Sequence, residues 1–262
     1  MEEKPLRVCY FGTYRSQYSR NRIMIEGLRR SGASVRECHV PLWHGVDDRV
    51  QVASGGWKRP AFVARVLRTY WTLYRQHRAL EDYDVMVLGY PGQVDVPLAR
   101  ALAWLRRKPL VLDLFMSIYL IAEERGLTVR HPATGRLINW LEKWACHRPD
   151  MLIKDTPEYV NWCEQVFDLD PSRFRLVPTG ADDRVYAPAP LSQIRDGTFR
   201  VLYYGTFIPN HGLPYILDAA RLLRDEADVR FELIGNGPLK PEIQAQIWEH
   251  GLENVSMEGW MD

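Results

Sequence analysis

The chain has no C-x-x-C pair, and its four cysteines, Cys9, Cys38, Cys146 and Cys163, lie far apart. That spacing argues against a disulfide framework or a clustered zinc site and reads as reduced, buried thiols of a cytoplasmic protein. No H-E-x-x-H occurs, so the helical zinc-hydrolase motif is missing and no metal ligands are expected. Neither G-x-G-x-x-G nor the P-loop is present, which disfavours nicotinamide enzymes and nucleoside triphosphatases. G-x-S-x-G is absent as well, against an α/β-hydrolase. The opening MEEKPLRV lacks the apolar core of a secretory signal. The longest apolar run, Pro109–Ala122, is broken by Asp113 and too short to span a bilayer. A net charge of +1 and no recognition motif leave little basis for nucleic-acid binding.

What is present suits a globular protein of two domains: 262 residues, 46% of them hydrophobic. Charge is uneven. Residues 1–183 hold 27 Lys/Arg against 22 Asp/Glu, and residues 184–262 hold 7 against 11, so the first part is basic and the second acidic. One phrase occurs twice. Arg7–Tyr14 reads RVCYFGTY and Arg200–Phe207 reads RVLYYGTF, with five of eight positions identical. Either two buried strands draw on the same few residue types, or, since a buried strand requires neither the Arg nor the Gly-Thr at matching offsets, two Rossmann-like halves begin alike.

Strand and helix patterns alternate along the chain. Strands are expected at 7–11, 35–40, 84–88, 110–115, 151–153 and 174–177, all apolar enough for a parallel sheet covered by helices. Helices are expected at 20–30 with Ser19 as N-cap, 61–80, 98–107, 136–147 and from Pro157 to Phe167. In the second helix Phe62, Val63, Val66, Leu67, Tyr70 and Tyr74 form the predicted apolar face. In the fourth, that face is Leu137, Ile138, Leu141, Trp144 and Ala145. A Pro-rich stretch, 184–198, reads as a linker between a domain at 1–183 and a second at 199–262. The second domain repeats the pattern with strands at 200–204, 229–234 and 254–258 and helices at 213–225 and 239–250. Three strands do not complete a doubly wound sheet, so the second domain is expected to be incomplete and the chain truncated.

In open α/β sheets ligands bind beyond the C-terminal ends of the strands. Those ends carry Gly12-Thr13, Asp113 with Ser117, Gly205-Thr206 and Gly235-Asn236-Gly237, and His211-Gly212 precedes a helix. Glycine turns at a helix start bring backbone N–H groups to an anion.

VLYYGTFIPNHGLPYILDAARLL, VRFELIGNGP and LENVSMEGW, in that order, resemble the start of the donor-binding domain of GT-B glycosyltransferases of the family 4 type. YSRNRIMIEGLRRSG and RLVPTGAD resemble that family's acceptor-side domain. The resemblance implies an α/β, GT-B-like fold of two Rossmann-like domains, and a glycosyltransferase that moves a sugar from a nucleotide-sugar co-substrate to a glycan, lipid-linked or small-molecule acceptor. It further implies retention of anomeric configuration, no metal and no separate cofactor. The donor diphosphate would rest near Gly205, Thr206, His211 and Gly212, with Gly235, Asn236 and Gly237 alongside and Gly12 and Thr13 approaching from the other domain.

The departures are specific. Where family members often carry Arg and Lys on the diphosphate, this chain has Thr206 and His211; His211 either binds phosphate or packs in its loop. A histidine the family often places after the fourth strand is missing, which leaves Asp113 and Ser117 as candidate catalytic groups. Asp113 either contacts sugar and acceptor or satisfies loop amides. The family's Glu-x7-Glu segment would fall beyond Asp262, so the 262-residue chain is expected to transfer sugar poorly. Residues 57–78 mix Trp57, Trp71 and other aromatics with Lys58, Arg59, Arg65, Arg68, Arg75 and Arg78. Either the aromatics pack on the sheet with the arginines solvated, or the helix touches an anionic membrane that presents the acceptor at its inner face. Two other readings stay open: a non-catalytic sugar-nucleotide or glycan-binding protein, and another GT-B enzyme such as a nucleotide-sugar epimerase.

Overall fold

The computed structural model describes residues 4–42, 60–188 and 197–260. The chain divides into two compact units, Met1–Ala187 and Pro188–Asp262. Trp57, Lys58 and Arg59, and most of the expected linker, lie outside the described residues.

The larger unit runs β1 (Arg7–Gly12), α1 (Ser19–Arg30), β2 (Ser34–His39), α2 (Pro60–Ala79), β3 (Val85–Leu88), α3 (Val96–Leu105) and β4 (Leu110–Asp113). It continues with α4 (Ile118–Glu124), α5 (Leu127–Arg130), α6 (Pro132–Cys146), β5 (Met151–Lys154), α7 (Pro157–Phe167) and β6 (Phe174–Leu176). The six strands form one parallel sheet in the order β2-β1-β3-β4-β5-β6. Both faces are buried, as parallel pairing demands. On one face Val8, Tyr10, Val87 and Val111 meet Ile25 of α1. On the other, Phe11, Met86, Leu88, Leu112 and Leu152 meet Leu73 of α2, Ala99 and Leu102 of α3, Ala145 and Cys146 of α6, and Val160 and Phe167 of α7. The four cysteines are free and buried.

The smaller unit is β7 (Phe199–Thr206), α8 (Leu213–Leu222), β8 (Val229–Asn236), α9 (Lys240–Glu249) and β9 (Val255–Glu258). Its parallel sheet has the order β7-β8-β9. Leu213 and Leu217 of α8 and Ile243 and Ile247 of α9 pack against Phe231 and Leu233. Both sheets are parallel; helices cover both faces of the larger and one face of the smaller, whose Leu202 and Tyr204 are exposed, in line with the expected α/β, GT-B-like class.

The strands fall where apolar runs predict them, but the helix faces differ. The buried stripe of α2 is Thr69, Leu73 and His77, while Val63 and Leu67 are exposed. Of its two polar residues, His77 is satisfied by the core. His77 Nε2 lies 2.9 Å from the Tyr83 hydroxyl, and its ring meets Phe11 edge-on. Similarly α6 buries Gly135, Glu142, Ala145 and Cys146 and leaves Leu137 and Leu141 exposed, because Glu142 finds four donors inside. Ser19 is not the cap of α1: Tyr18 takes that position without a side-chain bond, and Arg20 and Asn21 anchor the first turn through tertiary bonds. The short helices α4 and α5 had no expected counterpart.

Where β7 and β8 run side by side to their ends, Gly205 pairs with Gly235. Gly235 has φ +150°, and a Cβ there would collide with the Gly205 carbonyl oxygen. Gly235→Ala should therefore destabilise the smaller unit by roughly 2 kcal/mol or more, read from urea unfolding. Unfolding that matches the parent chain would contradict this packing.

Candidate functional site

The expected site residues fall into two groups, one in each unit. In the larger unit Gly12-Thr13 ends β1, Asp113 ends β4, and Ser117 caps α4. All four lie at the C-terminal edge of the sheet, and three of them are bonded to groups that the sequence does not single out.

Asp95, fully buried just before α3, accepts the Thr13 N–H at 2.7 Å, the Thr13 hydroxyl at 3.0 Å and the Tyr70 hydroxyl at 3.1 Å. Gly12, at φ +132°, must lack a side chain here, since a Cβ would sit 2.7 Å from Asp95 Oδ2. The Gly12–Thr13 corner is thus shaped by a carboxylate of the same chain, and the Thr13 amide is committed to it. Asp113 is also fully buried and takes a two-pronged bond from Arg20: Nε to Oδ2 at 2.9 Å and Nη2 to Oδ1 at 2.9 Å. Arg20 Nη1 donates to the Val177 carbonyl at 3.1 Å, and the guanidinium lies over the Phe115 ring. The Ser117 hydroxyl donates to Glu142 at 2.9 Å and accepts the Leu120 N–H. Lys154, at the end of β5 and wholly buried, donates to the Phe115 carbonyl at 2.7 Å and faces the Tyr159 ring.

Burial raises the carboxyls of Asp113 and Glu142 above their ordinary range, against the opposing pull of their donors, and lowers the Lys154 ammonium. The interior thus penalises charge at this edge, and specific hydrogen bonds retain it.

In the smaller unit the strand pairing brings Gly205, Thr206, Gly235, Asn236 and Gly237 together with His211 and Gly212 of the following loop. Gly205 and Thr206 sit opposite Gly235 and Asn236, and the Phe207 N–H donates to the Asn236 carbonyl at 2.9 Å. Asn236 Oδ1 accepts the Gly237 N–H at 2.9 Å. Gly212, left-handed at φ +71°, precedes the first turn of α8. A contact missed in the sequence fixes the histidine: the Tyr203 hydroxyl lies 3.1 Å from the Thr206 carbonyl oxygen and 3.0 Å from His211 Nδ1. With its proton given to the carbonyl, which only accepts, the phenol oxygen accepts from His211 Nδ1–H. A neutral His211 then has no hydrogen on Nε2 and gains one there on protonation. Strand alternation places Tyr203 on the same side as Val201, the only signal in the sequence for its role. Asp95, Arg20, Glu142 and Lys154 carry no such signal, because their partners are distant in sequence. Among the described residues no group of three or more His, Cys, Asp or Glu side chains is placed to hold a metal ion.

One of these shifts is large enough to measure through stability. Burial raises the Asp95 carboxyl from 3.8 to about 6 despite its three donors. The folded state therefore holds this proton where the unfolded state has lost it, so the Asp95 contribution to stability falls as pH rises from about 4 to about 6. Relative to Asp95→Asn, the parent chain should lose up to about 3 kcal/mol across that window, measured by urea unfolding at each pH. A parallel pH dependence in the two proteins would contradict it.

A family model described as a glycosyl transferase 4-like domain matches residues 8–180. The alpha-D-kanosaminyltransferase of Streptomyces kanamyceticus is 25% identical over 163 residues, covering 58% of this chain and 42% of that enzyme. The chain therefore aligns with less than half the length of this relative. Among solved structures, Anabaena Alr3699/HepE in complex with UDP superposes with a TM-score of 0.60 at 18% identity, over 98% of this chain and 69% of that one. A glycosyltransferase from Rickettsia africae superposes with a TM-score of 0.58 at 8% identity, over 98% and 69%. At such identities the structural likeness speaks for the fold, while the family model covers most of the larger unit. The chain belongs to the glycosyl transferase 4-like family.

Proposed function

We propose that this protein is a glycosyltransferase, moving a sugar from a nucleotide-activated donor to a glycan, lipid-linked or small-molecule acceptor. The observation that carries the reading is the family match over residues 8–180, and the fold shared with UDP-bound Alr3699/HepE supports it. The donor diphosphate is assigned to the smaller unit, at Gly205, Thr206, His211, Gly212 and the Gly235–Gly237 turn. The first turn of α8 offers its positive end to a departing diphosphate, which stabilises developing negative charge. No metal is invoked, and retention of configuration is part of the reading.

In the larger unit, assigned to the acceptor, Asp113 and Ser117 act as positioning groups. Asp113 acts through Arg20, and Ser117 through Glu142 and the start of α4. Gly12 and Thr13 shape the adjoining corner with Asp95. A lipid-linked acceptor would be met at a membrane surface, and α2 is the element we assign to it.

His211 gives the reading its test. With Nδ1 bonded to Tyr203, Nε2 is the His211 atom assigned to the diphosphate. Calorimetric titration of the chain with UDP measures that binding. His211→Ala should weaken it roughly tenfold, the scale of one charge-assisted hydrogen bond. Transfer from UDP-sugars to a panel of glycan and lipid acceptors then tests the chemistry. Binding without transfer or donor hydrolysis would favour a sugar-nucleotide-binding protein, and epimerised donor would favour an epimerase. If neither UDP nor other nucleoside diphosphates bind, the donor assignment fails.

A further inference from the structure

α2, α3 and α6 lie on one side of the larger sheet, since all three contribute buried residues to the same core while α1 contributes to the other. Their outward surface has an unusual composition. Across the three helices there are seven Lys or Arg and a single carboxylate, Glu142, which is turned inward and buried. Each helix also exposes one indole: Trp71 is 61% exposed, Trp104 69% and Trp140 61%. Leu67, Leu105 and Leu137 are exposed beside them. None of these apolar residues is needed to cover the core, which Leu73, Leu102 and Ala145 already seal.

We propose that the outer surface of α2, α3 and α6 docks on an anionic lipid surface. Three observations select lipid as the occupant. The three helices expose no carboxylate of their own, and of their seven cations Arg100 is paired with the exposed Asp150, so the excess positive charge complements a sheet of phosphates rather than the mixed charges of a protein partner. Its large apolar groups include one tryptophan per helix, the residue type that settles at the boundary between headgroups and acyl chains. Exposed arginines, Arg68 and Arg75 of α2 and Arg136 of α6, accompany those indoles, as in helices that lie in the interface plane. The fourth helix of this side, α7, carries exposed Glu158 and Glu164, which places the limit of the docking surface. No helix among the described residues is long and apolar enough to cross a membrane, so the contact is peripheral. The inference extends the contact assigned to α2 over three helices, and it requires no donor or turnover.

The test is flotation of the full chain with vesicles of phosphatidylcholine alone and of phosphatidylcholine mixed with phosphatidylglycerol, at low and high salt. The chain should float with the mixed vesicles only, less so in high salt, and brominated lipid should quench its tryptophan fluorescence. Replacing Arg68, Arg75 and Arg136 together by Ala should weaken binding about a hundredfold, at roughly fivefold per arginine. Trp71→Ser, Trp104→Ser and Trp140→Ser in one chain should abolish the quenching by brominated lipid, with the circular dichroism melting curve as the check on folding. If that variant fails to fold, the salt and lipid-charge dependence of the parent chain still decides. Failure to bind the mixed vesicles, or equal binding to both kinds, would overturn the proposal. So would sedimentation of the lipid-free chain as a dimer that the tryptophan variant breaks, since the surface would then belong to a second copy. UDP binding is unaffected by either outcome, so the donor assignment stands or falls separately.

Discussion

The buried Arg20–Asp113 ion pair is the interaction on which the C-terminal edge of the larger sheet depends. Arg20 comes from the first turn of α1, Asp113 from the end of β4, and the remaining guanidinium bond goes to the chain leaving β6. One side chain thus joins a helix, the middle of the sheet and its far edge. Placing two charges in an interior is costly, and it is tolerated here because the fork of Arg20 meets both carboxylate oxygens and spends its remaining hydrogens on backbone. The same constraint recurs next to it. Asp95 and Glu142 have no cation among their hydrogen-bond partners and are held by N–H and O–H donors from several elements, and Lys154 is held by a carbonyl and a ring face. These bonds fix the loops after β1, β4 and β5 where a parallel sheet presents its ligand-facing end.

The smaller unit reaches a similar arrangement by close backbone approach. Its strands run together up to Gly205 and Gly235, where a side chain on Gly235 would collide with the Gly205 carbonyl and one on Gly205 would crowd the Tyr203 hydroxyl. The loop that follows leads into α8 with its amides unencumbered by acidic side chains, and Tyr203 orients His211. The repeated phrase at the start of each sheet has a common structural meaning. Gly12 and Gly205 both have positive φ at strand ends, and each preceding Arg pairs with an acid on the neighbouring strand or just before it, Arg7 with Asp84 and Arg200 with Glu232.

Strands and the alternation of elements were legible because a strand buried on both faces must be apolar along its length. Glycine at strand ends was legible because few other residues accept those backbone angles. The helix faces were not: Thr69, His77 and Glu142 are buried polar residues, and the partners of His77 and Glu142 lie outside their own helices, so an apolar count assigns these positions to solvent and sends Val63, Leu67, Leu137 and Leu141 inward. For the same reason Asp113 and Ser117 were readable as polar groups at the right edge, while Arg20, Asp95 and Glu142, which determine what those groups can do, were not. The exposed indoles of α2 and α6 follow from that inversion, since apolar residues released from the core are left on the outer surface.

The central claim is that the turn-and-helix end of the smaller unit, held open by glycines and completed by His211, seats a nucleoside diphosphate. Backbone amide NMR spectra of the ¹⁵N-labelled chain titrated with UDP test it most directly. The account predicts that the largest shifts fall on Gly205, Thr206, His211, Gly212 and Gly235 to Gly237, with the amides at the start of α8. Shifts confined to the larger unit, or none at saturating UDP, would contradict it.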